Sequence, residues 1–113
     1  MYTERDRTVV MVAAMIQAEA NLSVDDTLEE RCRKAMKIGQ NHWMITDEDE
    51  RFRASVGAVI LASNDEERER ISSELAGLRM LSAAISGVPV DFDQLPTQEN
   101  PVGLMKIWRE LKG

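Results

Sequence analysis

At 113 residues, 43% of them hydrophobic and 30% charged, the chain has the size and composition of one folded domain, which excludes wholesale disorder. Its formal net charge of −6 argues against binding to a nucleic-acid backbone, which requires clustered lysine and arginine. Only 4% of the residues are aromatic, so the core must be aliphatic, and this favours helix packing over a β-sandwich. We therefore expect a single all-α domain over residues 1–113.

The first predicted helix runs from Glu4 to Ala20. Thr3 is suited to cap its N-terminus, and Asp6 is placed to complete a capping box. Apolar residues cover nearly the whole circumference of this helix, which is typical of a helix at the centre of a bundle or in a subunit interface.

The second predicted helix extends from Val24, capped by Ser23, to a stop at Gly39. The third begins after Thr46, with four acidic residues, 47–50, in its first turn, where carboxylates stabilise a helix N-terminus. It has no charge from residue 54 to 62, so we expect it to be largely buried, with Gly57 allowing a neighbouring helix to approach closely.

The fourth predicted helix spans residues 65–86, is capped by Ser63 or Asn64, and stops at Gly87. An irregular strap follows at about 87–99. Asn100 and Pro101 then introduce a short last helix that ends near residue 112. The expected architecture is a compact bundle of four main helices plus this C-terminal helix, which we expect to close the bundle rather than lie on a membrane or a partner.

Few residues indicate a catalytic, metal-binding or nucleotide-binding site. The acidic run 47–50 has Phe52 at the place where an EF-hand loop needs a glycine, so its charges are expected to stabilise the helix N-terminus. The expected i,i+4 ion pairs are Asp47–Arg51, Asp49–Arg53, Glu29–Arg33, Glu30–Lys34 and Glu66–Arg70. Cys32 and His42 have no further ligands that would complete a zinc site, and Cys32 is expected to pack as a small hydrophobe. We expect His42 and Trp43 to pack in the connection between the second and third helices, with the imidazole partly in water. No phosphate-binding glycine motif is present in the sequence, so we expect neither enzyme activity, a cofactor nor a metal.

Two features of the sequence indicate the cellular compartment of the protein. One cysteine precludes an internal disulfide, as is usual in the cytoplasm, which is the expected compartment. The longest apolar run, residues 9–16, is too short for a bilayer, and the mixed charges before it do not resemble a signal peptide. We expect no membrane partner.

A helix-turn-helix that regulates transcription is the alternative interpretation of the second and third helices. Its recognition helix would begin with the acidic residues 47–50, which phosphates repel. A basic strip on the second helix, formed by Arg31, Arg33, Lys34 and Lys37, is the better candidate for such contacts.

The expected function is that of a small regulatory or adaptor protein that binds another protein, such as a bacterial or phage accessory factor or an inhibitor. Its acidic partner face would be Asp47, Glu48, Asp49 and Glu50. We also expect a homodimer, since two-fold dimers are the commonest oligomers and the apolar surface is large for the chain. A structural subunit of a larger assembly is a further alternative. Candidate dimer or partner residues are Val9, Val12, Ile16, Ile71, Leu75, Leu78, Leu81, Ile85, Leu104 and Trp108.

Overall fold

The computed structural model describes residues 3–85, 87 and 103–113, with the backbone alone for residues 80–85. These residues form five α-helices, which confirms the expected all-α bundle of four main helices and a short C-terminal one. Their bounds are α1 (Glu4–Ala20), α2 (Leu28–Gly39), α3 (Glu48–Leu61), α4 (Asp65–Ile85) and α5 (Leu104–Lys112). The predicted strap at 87–99 lies, except for Gly87, outside the described residues.

Helix α1 begins and ends where its sequence predicts. The Asp6 amide donates to Thr3 Oγ1 at 3.2 Å, and the Thr3 amide donates to Asp6 Oδ2 at 2.9 Å, so the capping box is present. The helix ends at Asn21, whose φ of 51° places it in the left-handed region, where asparagine is tolerated better than most residues. Its inner side packs on α3 and α2, and both Val12 and Ile16 are fully buried there.

Helix α2 starts four residues later than expected, so the prediction that Ser23 caps it was wrong. Ser23 instead closes a turn, in which its Oγ accepts from the Asp25 amide at 3.1 Å. Thr27 is the cap, accepting from the Glu30 amide at 3.1 Å. Both residues are good caps, but the apolar face of α2 begins only at the buried Leu28. Packing therefore decides between two equivalent local signals.

Helix α3 lies against both α1 and α2. Asp47 is its N-cap, with the side chain accepting from the Glu50 amide at 2.9 Å, rather than the first residue of its first turn. Gly57 serves the predicted close approach, because a Cβ placed there would lie 3.0 Å from the Cβ of Ala13 on α1. For α4, Asn64 rather than Ser63 is the cap, and it exchanges hydrogen bonds with Glu67.

Helix α5 closes the bundle by packing on α2, as expected. Leu104, Ile107 and Trp108 are buried, and the Trp108 ring meets Phe52 edge-on with centroids 5.4 Å apart. The described helix begins at Leu104, after Gly103. Residues 100–102, including the predicted cap Asn100, lie outside the described residues.

The N-terminus of α5 has no side-chain cap of its own, and Glu74 from α4 accepts a hydrogen bond from the Leu104 amide. Burial raises the pKa of the Glu74 carboxyl, and the hydrogen bond from Leu104 opposes that effect only in part. A pKa above its unfolded value means that ionising Glu74 costs folding free energy at neutral pH.

We therefore expect Glu74→Gln, which keeps the acceptor and removes the charge, to raise the melting temperature by a few degrees at pH 7. The gain should shrink as the pH falls through the raised pKa, because wild-type Glu74 then becomes neutral as well. Thermal unfolding followed by circular dichroism from pH 4 to 8 measures the difference. A variant that is less stable than the wild type at pH 7 would show that the charge stabilises α5.

Candidate protein-binding surface

The ten apolar residues suggested by the sequence for a dimer or partner interface divide between core and surface. The core takes six of them, none more than 8% exposed: Val9, Val12, Ile16, Ile71, Leu104 and Trp108. These side chains pack within the chain, so they offer little surface to a partner, and their part in an interface stays a prediction. Leu75 and Leu78 are half-buried, whereas the side chains of Leu81 and Ile85 lie outside the described part.

The loop between α2 and α3 is held in place by one side chain, that of Arg51. Its guanidinium donates to three loop carbonyls: from Nε to Ile45 at 2.6 Å, from Nη1 to Gln40 at 3.2 Å and from Nη2 to His42 at 3.4 Å. The predicted pairing of Arg51 with Asp47 is replaced by these bonds. Three bonds from one planar group fix the loop backbone relative to α3.

His42 and Trp43 take the opposite places from those expected. His42 is only 3% exposed, and its Nδ1 accepts from the Met44 amide at 3.3 Å. Trp43 is 77% exposed and stacks on that imidazole with ring centroids 6.0 Å apart. The imidazole of His42 has a backbone hydrogen-bond partner and is buried inside the loop. The larger indole of Trp43 is left in water. No feature of the sequence predicts that the histidine is buried and the tryptophan exposed.

The acidic run at the start of α3 is largely engaged within the chain. Asp47 caps the helix, Glu48 pairs with Lys112 of α5, and Glu50 pairs with Arg5 of α1. These contacts connect three helices, a role that sequence spacing does not reveal. Asp49 is exposed, and with Asp47 it leaves negative charge on the surface shortly after Trp43.

The basic strip predicted on α2 is mostly neutralised by carboxylates. Arg31 is buried and pairs with Glu67, while Arg33 bridges Glu29 and Glu110. Lys34 pairs with Asp26 instead of the predicted Glu30. Cations held in this way cannot contact phosphates without first losing their partners, so the described surface of α2 is poorly suited to a DNA backbone.

Cys32 is a core residue with no exposed surface. Burial raises the pKa of its thiol to about 12, so the reactive thiolate is not available at neutral pH. Cys32 therefore packs as a small hydrophobe, as expected. The described residues also contain no group of three or more His, Cys, Asp or Glu that could hold a metal ion.

Apolar side chains on the outer side of α1 form a second surface patch. Val10 is 54% and Met11 48% exposed, and Ala14 and Ala18 on the same side are also exposed. The sequence shows only that the helix is apolar nearly all round. It does not show which side the bundle covers.

None of the helices in the described ranges is both long and apolar enough to pass through a bilayer. Comparison with known protein families, with curated proteins and with solved structures finds no match for the chain.

Proposed function

We propose that this is a non-catalytic regulatory or adaptor protein that binds another protein through Trp43. The observation that carries the proposal is an indole 77% exposed on a loop whose carbonyls Arg51 holds in place. Tryptophan is among the residues most enriched at binding hot spots, because its rigid ring buries much apolar area at a small entropic cost. Because most of its indole lies outside the core of its own chain, Trp43 is available to enter a pocket on a partner.

The charge near Trp43 indicates the chemistry of that partner. Asp47 and Asp49 follow the indole in the chain, and the whole protein carries a formal charge of −6. A partner with lysine or arginine around an apolar pocket is therefore attracted to this surface, and electrostatic steering accelerates their association. The proposed partner is a protein with a basic rim, as expected for the target of an acidic inhibitor. We assign this role to the cytoplasm, because the one cysteine is a buried thiol.

A panel of random peptides displayed on phage tests the proposal without knowledge of the natural partner. We expect the wild-type protein to select peptides that combine apolar residues with lysine or arginine. Trp43→Ala should weaken binding of the selected peptides about 30-fold, the loss that corresponds to a hot spot of about 2 kcal/mol. Asp49→Asn should weaken binding less and reduce its salt dependence.

Leu61→Ala is the matched control, because Leu61 is also an exposed large apolar residue, at 49%, but lies at the end of α3. Its peptide binding should equal that of the wild type. If Trp43→Ala selects and binds the same peptides as the wild type, Trp43 is not the binding site. Tight, steeply salt-dependent binding of duplex DNA in a parallel titration would support the helix-turn-helix alternative.

A further inference from the structure

The outer side of α1 presents an apolar strip that its own bundle leaves half exposed. The strip consists of Val10, Met11, Ala14 and Ala18, with Val10 at 54% and Met11 at 48% exposure. From Val10 to Ala18 the strip is about 12 Å long, at ~1.5 Å per residue. The opposite side of α1 is buried against α3 and α2, so the helix has apolar residues on two sides.

We propose that this strip is a homodimer interface in which two copies of α1 pack antiparallel about a two-fold axis at Ala14. The strip is self-complementary in that arrangement, because Val10 and Ala18 each lie four residues from Ala14. The axis therefore sets the larger Val10 against the partner subunit's Ala18, and the same contact recurs on the other side. The small Ala14 at the axis lets the two backbones approach closely.

The charges along α1 favour a second copy in the antiparallel direction. The last turn of α1 contains no basic residue, so the partial negative charge of its carbonyl end is not offset within the helix. Glu19, exposed near that end, adds a further negative charge. Arg7 lies seven residues before Ala14, and the axis places it over the partner subunit's Asn21, which ends the helix. In a parallel pair, Arg7 would face the partner's Arg7 and repel it.

The proposal does not depend on Trp43, which belongs to a different loop, and its first test is the mass of the wild-type protein. Analytical ultracentrifugation over a wide concentration range should show a mass that rises from 12.8 kDa towards twice that value. A mass that stays at 12.8 kDa at every concentration overturns the dimer and leaves the strip to some other partner.

Ala14→Glu places two like charges at the axis and should weaken dimerisation at least about tenfold, a cost of about 1.4 kcal/mol. Glutamate is a good helix former, so this exposed position should tolerate it, and the melting curve of dilute protein verifies that the fold is retained. Leu61→Glu, which adds the same charge at an exposed apolar residue elsewhere, should dimerise like the wild type. Equal dimerisation of Ala14→Glu and the wild type would contradict the proposed interface.

Single cysteines test the direction of packing even if Ala14→Glu fails to fold. With an added oxidant such as oxidised glutathione, Ala14→Cys should form a disulfide-linked dimer rapidly, because the two sulfur atoms meet at the axis and Cys32 is buried. Arg7→Cys should link slowly, since its counterpart in the antiparallel pair is Asn21. Leu61→Cys, outside the proposed interface, gives the rate of disulfide formation through random collision. In a parallel pair residue 7 also faces its own copy, so a reaction of Arg7→Cys as fast as that of Ala14→Cys would indicate a parallel pair and reject the antiparallel one.

Discussion

Gly39→Ala should destabilise the protein by about 3 kcal/mol, although alanine is the better helix former by about 1 kcal/mol. Gly39 is the last residue of α2 and is buried where α2 crosses α3. A Cβ at this position would lie 1.8 Å from Ser55 Oγ and 3.2 Å from Ile16 Cδ1. Ser55 is itself fully buried, and its hydroxyl donates to the Arg51 carbonyl at 2.8 Å, so it cannot move aside without losing that bond. The overlap therefore outweighs the gain in helix propensity.

Chemical denaturation of Gly39→Ala, Ser55→Ala and the double variant measures this effect. The double variant should be more stable than Gly39→Ala alone, because it lacks the hydroxyl oxygen nearest to the added methyl group. Such non-additivity is expected for residues in direct contact. A Gly39→Ala variant as stable as the wild type would show that α2 and α3 can separate at little cost.

Gly39 also illustrates what the sequence can predict. Its position at the end of α2 follows from the usual signal, a glycine after a basic last turn, but its role in the close packing of α2 on α3 does not. Helix types, the caps of α1 and α4 and the burial of most of α3 follow from apolar periodicity and local capping residues, which act within a few positions. The start of α2 was mispredicted because Ser23 and Thr27 are equivalent local signals.

The surfaces were harder to predict than the core. Apolar periodicity identifies Val12 and Ile16 as residues that need a neighbour, and they find it within the chain. It cannot identify Trp43 as exposed, because the indole is turned outward by hydrogen bonds that Arg51 and His42 make within the loop. Contacts between residues far apart in sequence, such as Glu48 with Lys112, lie beyond any local pattern as well.

Buried charge at the junction of α2, α3 and α4 is another feature that the sequence conceals. Arg31, predicted as part of a basic surface strip, has a side chain only 4% exposed. Its Nη1 and Nη2 bind Glu67 Oε1 and Oε2 at 3.0 and 2.6 Å, and Nη1 also donates to the Ala62 carbonyl at 2.9 Å. Nε and Nη2 donate to the Asp26 carbonyl at 3.2 and 3.1 Å. One guanidinium thus satisfies acceptors from the start of α4, the end of α3 and the turn before α2.

Arg31→Met should therefore cost about 3–5 kcal/mol, the usual loss when one member of a buried ion pair is removed, and a large part of the stability of a domain this size. Methionine fills a similar volume but leaves the Glu67 carboxylate and the carbonyl groups without their donor. Arg33→Met is the matched control: Arg33 forms its ion pairs with a side chain 42% exposed, where solvent screens the charges and the expected loss is much smaller. Equal losses for the two variants would mean that burial adds nothing to the Arg31 pair.

The pH dependence provides a second, independent measure of the same contact. The hydrogen bonds from Arg31 lower the pKa of the Glu67 carboxyl below its ordinary value of 4.5. A carboxyl whose pKa is lowered by folding stabilises the fold at pH values above its pKa in the unfolded chain. This stabilisation is lost as the pH falls through the pKa in the folded chain. Wild-type protein should consequently lose stability from pH 5 downward, and Arg31→Met should lose less over the same interval. Denaturation midpoints of both proteins, measured from pH 7 to pH 3, test this. If the two midpoints fall by the same amount over this range, the Arg31 contact is not the cause of the lowered Glu67 pKa.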